Sequence, residues 1–265
     1  MAINSTPVEA QIAKLNDEVV RLRKQRDNAD KAKTEYMQNV AHQLAAPINA
    51  IKMNIDTLKN PRVPAGRKTV LLNSIYCQGT ILAHLIKNFS FMSHLEAEHN
   101  LDSFREKPEE VDIYLLCVNF ANDFQPSASF KDQKIVVLED EFQAHRRPKI
   151  WVIKNLLSQV VYNLFENATK YADADSTITV GLKADTSSVT VKFQSIGAPI
   201  SDYEAATIFD RGQRGASAKA LHPAGTGFGL YIAGRIMEIH KGELSVATRG
   251  RMTEFSMKCP RKAID

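Results

Sequence analysis

Three cysteines, Cys77, Cys117 and Cys259, are all that the 265 residues contain. They are odd in number, lie far apart and have no neighbour at metal-ligand spacing, which excludes a disulfide framework, a zinc site and a redox pair. Long hydrophobic runs are also missing. No stretch approaches the roughly 18 consecutive apolar residues that a membrane span needs, and the N-terminus has no basic head followed by an apolar block. The expectation is a cytoplasmic chain that makes no contact with a membrane. Charge of one sign is scarce too: the 34 basic and 30 acidic residues are scattered without a run or stripe, so the net charge of +4 gives no reason to expect nucleic acid. Internal repeats and low-complexity tracts are absent.

An apolar fraction of 44% over this length is enough for more than one packed core. Residues 8–35 have coiled-coil spacing, with Ile12, Leu15, Val19, Leu22 and Ala29 set among many charges. A second stripe, shifted by one residue, runs through Met37, Ala41, Leu44, Ile48, Ile51, Ile55 and Leu58, and the shift is a stutter that unwinds a coiled coil locally. The segment 59–66, with Pro61, Pro64 and Gly66, forces a turn. Beyond it Leu71, Ile75, Gln78, Leu82, Leu85, Phe89 and Met92 predict a returning helix, so residues 36–106 form an antiparallel hairpin. Its apolar stripe is too large for a lone hairpin, and two copies complete a four-helix bundle. The expected partner is therefore a second copy of the chain.

From residue 109 to 265 the pattern changes. Short β-rich runs at 134–139, 150–152, 176–183, 188–193, 244–248 and 254–258 alternate with helical patterns at 113–124, 154–171 and 228–240. The class expected is α+β: a coiled coil and helical hairpin followed by an α/β sandwich with helices over one face of the sheet.

Three clusters carry chemistry. His42 lies opposite Leu44 on its helix, at about 100° per residue, and so faces solvent. Pro47, one turn on, removes the N–H partner of the Gln43 carbonyl, which costs about 3 kcal/mol unless the distortion is used. Asn163 and Asn167, four apart, share a face of one helix. Gly225-Thr226-Gly227-Phe228-Gly229-Leu230 opens a helix, where glycines and the helix N-terminus favour an anion.

In this order the clusters resemble the H-box, N-box and G2-box of sensor histidine kinases of two-component systems, and residues 208–214 resemble the F-box. The resemblance covers residues from about 36 to the end. It implies that His42 is the phosphoacceptor with Gln43 beside it, and that residues 109–265 bind ATP and Mg²⁺. By the same resemblance Asn167 holds the metal, Asn163, Lys170 and Arg214 contact phosphates, and Tyr171 lies against the nucleotide. Residues 211–224 become a lid, and Ser195, Gly197 and Ile200 stand in the G1-box that receives adenine. The partners implied are a response-regulator receiver domain and an upstream sensor domain or protein.

Three positions depart from the family. Gln43 replaces the usual acid after the histidine and cannot take a proton, which predicts slow autophosphorylation. Ala46 replaces the Thr or Asn that positions water, which predicts weak phosphatase activity. Ser195 replaces the adenine-binding Asp, leaving a shorter, neutral acceptor. Two readings stay open: an active kinase, and a pseudokinase that serves as a dimeric signalling scaffold. The helix carrying Asn167 also begins near Ile153 without a Ser, Thr, Asp or Asn cap, so its start is frayed or capped from elsewhere.

Overall fold

The computed structural model describes residues 7–97, 106–222 and 227–261. Its first element, α1 (Pro7–Leu58), is one helix of 52 residues. No glycine interrupts it and Pro47 is the only interior proline, so nothing ends it before the turn. The expected coiled coil and the first half of the hairpin are therefore continuous. The Oδ1 of Asn60 accepts the N–H of Arg62 in the turn, and α2 (Ala65–Ala97) follows. The Nδ2 of Asn54 donates to the Oγ of Ser74 at 2.9 Å, which fixes the antiparallel register.

Along α1 the stripe divides by sevens. Leu44, Ile51 and Leu58 are half-buried, whereas Ala41, Ile48 and Ile55 are exposed. One seam is filled within the hairpin and the other is left open, as expected for a helix that must touch two neighbours in a bundle. One described helix segment, residues 65–91 of α2, is long and apolar enough by length and composition to cross a membrane, with a mean hydropathy of 1.3 over its most apolar window.

The chain divides into two compact units inside α2, after Gly79. The last turns of α2 belong with the second unit, where Asn88 accepts a hydrogen bond from Gln159 at 3.0 Å.

In the second unit β1 (Glu109–Asp112) pairs antiparallel with β3 (Lys149–Val152) in a small sheet of its own. The main sheet has the order β2 (Lys134–Val137), β4 (Thr177–Ala184), β5 (Ser188–Ile196), β7 (Met252–Pro260), β6 (Glu243–Arg249). Only β2 and β4 are parallel. Strand alternation puts Ile178, Val180, Leu182, Val189, Val191, Phe193, Phe255 and Met257 on the buried face. Helices α3 (Ile113–Ser129), α5 (Lys154–Tyr171) and α8 (Gly229–Ile239) cover that face, with Phe165 edge-on to Phe193 at 5.2 Å. Each such large apolar side chain contributes about 1.5–3 kcal/mol when fully buried.

Strand β2 is shorter than expected because Glu139, Asp140 and Glu141 form the first turn of α4 (Glu139–Ala144), where acidic residues are favoured. Two more short helices, α6 (Asp202–Thr207) and α7 (Ala216–Leu221), precede α8. The three cysteines are free.

Candidate phosphoacceptor and nucleotide sites

His42 is exposed on α1, and Pro47 is buried one turn beyond it. Gln43 is half-buried. The outward direction read from the periodicity is thus the one the helix has, and the ring is open to a reactant.

The nucleotide motifs begin with α5. Its N-cap residue, Ile153, offers no side-chain cap; instead the N–H of Ile153 donates to the Nε2 of His240 at 3.0 Å. The Nδ1 of that ring lies 2.8 Å from the Ile236 carbonyl, so the proton sits on Nδ1 and Nε2 accepts. His240 is fully buried, and burial holds its imidazole below the ordinary value despite the bond to the Ile236 carbonyl. The start of α5 is therefore capped from the end of α8.

About two and a half turns further in, Asn163 is only 1% exposed. Its Nδ2 donates to the Gly229 carbonyl at 2.9 Å and its Oδ1 accepts from Gln159 at 3.1 Å. Its amide thus ties α5 to the first residue of α8. Asn167, one turn on, is half-buried. Burial raises the carboxyl of its neighbour Glu166, and the Lys170 ammonium opposes that rise. No group of three or more His, Cys, Asp or Glu able to hold a metal occurs among the described residues. A Mg²⁺ here would take the Asn167 amide oxygen together with phosphate oxygens and water, which suits an ion that keeps much of its hydration.

The far end of α5 is locked to the turn after β5. The N–H of Ala198 donates to the Tyr171 carbonyl at 3.1 Å and that of Asp173 to the Ile196 carbonyl at 2.8 Å. A Cβ on Gly197 would lie 2.0 Å from the Tyr171 oxygen, so only glycine permits this approach. Ser195 is half-buried, on the same strand face as Phe193, and pairs across the sheet with the buried Thr253. Ile200 and Leu230 are also half-buried.

Within residues 211–222 the chain forms α7. The Oε1 of Glu204 accepts the N–H of Ala216 at 2.7 Å at the start of α7, while its other oxygen closes a capping box on Ser201. These bonds hold the Glu204 carboxyl below the usual carboxylate range. The Nη2 of Arg214 donates to the carbonyls of Ala218 and His222, so the guanidinium secures the end of α7. Gly227 has φ +72 and packs on the backbone of Gly212 and Gln213, where a Cβ would lie 2.8 Å away. Gly225 and Thr226 lie outside the described residues.

After α7, His222 closes over α5. Its Nε2 lies 3.0 Å from the Lys170 carbonyl and its ring is edge-on to Tyr171 at 5.5 Å. Burial lowers its imidazole, and the charges of Lys170, Lys131 and Arg214 lower it further against that bond. Beneath lies a cavity of about 660 Å³, within the ordinary range for ligand sites. Of the residues expected to hold nucleotide, Lys170 and Tyr171 line it, joined by Lys131, Asp173, His222 and Arg251. Asn167, Ser195, Gly229 and Leu230 lie outside that lining. Lys131, Glu204, His222, Arg251 and His240 were not singled out from the sequence. Lys131, His222, Arg251 and His240 act through partners distant in the chain, which leaves no local pattern to read, whereas the Ser201–Glu204 capping box was a local signal that went unread.

Two family descriptions match the chain in succession: "His Kinase A (phospho-acceptor) domain" over residues 32–98 and "Histidine kinase-, DNA gyrase B-, and HSP90-like ATPase" over residues 153–263. The chain is 28% identical over 259 residues to the adaptive-response sensory kinase SasA of Synechocystis sp., covering 93% of this chain and 64% of that protein. It is 24% identical over 236 residues to the sensor protein VanS of Enterococcus faecium, covering 88% of this chain and 58% of VanS. The chain thus spans about 60% of the length of these relatives. Among solved structures it resembles the Acinetobacter baumannii histidine kinase AdeS, with a TM-score of 0.54 and 17% identity over 83% of this chain and 98% of that one. It also resembles the histidine kinase ThkA solved in complex with the response regulator TrrA, with a TM-score of 0.54 and 17% identity over 92% of this chain and 66% of that one. With a phosphoacceptor domain and an ATPase domain joined in this order, the chain belongs to the sensor histidine kinases.

Proposed function

We propose that the chain is the catalytic core of a homodimeric, cytoplasmic kinase that transfers the γ-phosphoryl group of Mg²⁺-ATP to His42 and then to an aspartate of a response-regulator receiver domain. The observation that carries this reading is an exposed His42 in the same chain as a cationic cavity at the end of the N-box helix. The relative ThkA, solved with a response regulator, supports the second transfer, and the open seam at Ala41, Ile48 and Ile55 supports the dimer. An apolar α2 surface is then covered by a second copy. Input comes from an upstream sensor domain or protein.

In this reading α5 does most of the positioning. Asn167 and Lys170 face the phosphates, Tyr171 and the G1 turn border the base, and Asn163 keeps the α8 N-terminus against α5. Asn167 would hold Mg²⁺, which when bound would supply charge neutralisation to the phosphates. His42 contributes an imidazole nitrogen that forms the new N–P bond while the bond to the β,γ-bridging oxygen breaks. Gln43 orients the ring without taking its proton, and this slows the step by roughly 10²–10⁴ against an acidic neighbour. Ala46 offers no hydrogen bond to an attacking water, so the same surface dephosphorylates the regulator poorly.

The scaffold alternative is supported by the three departures from the family, Gln43, Ala46 and Ser195. Incubation with Mg²⁺ and γ-labelled ATP separates the two. The kinase reading predicts acid-labile label on the unmodified chain and none on His42→Gln, whereas an unlabelled chain at millimolar ATP leaves the scaffold.

A further inference from the structure

The end of α2 is tied to the start of α8 by a row of side-chain amides. On α5, the Nε2 of Gln159 donates to the Oδ1 of Asn88 at 3.0 Å and to the Oδ1 of Asn163 at 3.1 Å. An amide nitrogen carries two N–H donors, one for each acceptor. Asn163 in turn donates to the Gly229 carbonyl at 2.9 Å. Its side chain lies directly against that glycine, where an added Cβ would meet the Asn163 Cγ and Oδ1 at 3.6 Å.

The direction of the row is fixed from one end. The Gly229 carbonyl can only accept, so the Nδ2 of Asn163 must face it and the Oδ1 must face Gln159. That oxygen needs an N–H, which places the Nε2 of Gln159 between the two asparagines. Its second N–H then calls for another oxygen, and Asn88 supplies it. No amide in the row can turn over without setting like atoms against each other. Gln159 and Asn163 are only 6% and 1% exposed, too little for water to replace a lost bond. On α2, Phe91 shares a face with Asn88 and is buried as well, so an apolar anchor seats this end of the helix beside the amide. Asn88 lies outside the four boxes, and neither it nor Gln159 is among the residues expected to touch nucleotide.

We propose that Asn88 and Gln159 are positioning residues of the nucleotide site. They act through Asn163 on the glycine turn that opens α8, so that seating of the α2 end and binding of nucleotide favour one another. The inference rests on the reading that the chain binds ATP. Loss of the bond at Asn88 frees Gln159, then Asn163, and so loosens residues 227–230 against α5.

Equilibrium binding of Mg²⁺-ATP to the whole chain is measured, together with Tm, for wild type, Asn88→Leu, Asn88→Asp, Gln159→Met and the double variant Asn88→Leu with Gln159→Met. Leu keeps the size of Asn88 without its oxygen and is expected to weaken Mg²⁺-ATP by about five- to tenfold. Asp keeps an oxygen towards Gln159 and should stay within about threefold of wild type. Gln159→Met should lose at least as much as Asn88→Leu. The double variant should lose no more than Gln159→Met, because that change already removes the bond Asn88 makes. Unchanged affinity in Asn88→Leu overturns the proposal even where Tm falls, since the row would then serve stability alone. A double variant whose loss is the product of the two single losses overturns it too, as does an Asp variant as weak as the Leu one. Wild type that binds Mg²⁺-ATP without labelling His42 removes the kinase reading, while the variants still decide this inference. Wild type that binds no nucleotide overturns both.

Discussion

The α1 stalk and the α5 helix are both amphipathic, yet they treat their apolar residues differently. On α5, Leu157, Val160, Val161, Leu164 and Phe165 are fully buried within a single chain. On α1, Ile48, Met53 and Ile55 remain exposed, at 49%, 70% and 42%. The second unit thus closes its own core and can hold side chains to tight geometry, as at Gly197 and Asn163. The stalk leaves a seam that only another surface can cover, while presenting His42 away from that seam. In the proposed kinase a phosphoacceptor has to be reached and a nucleotide frame has to be rigid, and the two regions would divide these demands between them.

The contrast is broken most severely at Gly197. Replacement by Val places a Cβ 2.0 Å from the Tyr171 carbonyl, and we expect a loss of about 3 kcal/mol in the second unit, seen as a lower Tm, with nucleotide affinity falling alongside. An unshifted Tm would mean that the G1 turn is not locked to α5.

A charge on the stalk should do the opposite. Ile55→Lys is expected to leave the thermal transition of the second unit within about 0.5 kcal/mol while shifting the chain from dimer to monomer in sedimentation. Retention of the dimer would show that the open seam is not the interface.

A smaller effect sharpens the view of the α5 frame. The buried His240 is held neutral, and its folded proton affinity lies below that of the unfolded chain. The stability due to the neutral ring is complete above the unfolded value of about 6.5. It is lost as pH falls from there towards the lowered folded value, because the unfolded chain takes up the proton first. Between pH 7 and 5 the wild type should therefore lose Tm more steeply than His240→Asn; parallel curves would contradict the assignment.

How much of this was legible from residue order depended on range. Helix α5 was read with its observed ends, 154–171, because its period runs over five turns, and the exposure of His42 followed from its angle to Leu44. Strand β1 and helices α4, α6 and α7 span four to six residues, too few to carry a period. The cap on α5 joins residues 87 apart, and the bonds of Lys131 to the Thr169 and Lys170 carbonyls join residues 38 and 39 apart. Such pairs are made by the fold and leave no local pattern. The bonds of Arg214 and Asn163 to the backbone of α7 and α8 depend on how close those helices come, which spacing does not encode.

The most direct test of the account is localisation of the phosphoryl group after incubation with Mg²⁺-ATP, by mass spectrometry of peptides kept at alkaline pH. The account predicts phosphate on the imidazole of His42. Phosphate on another residue, or on none at millimolar ATP, would contradict it.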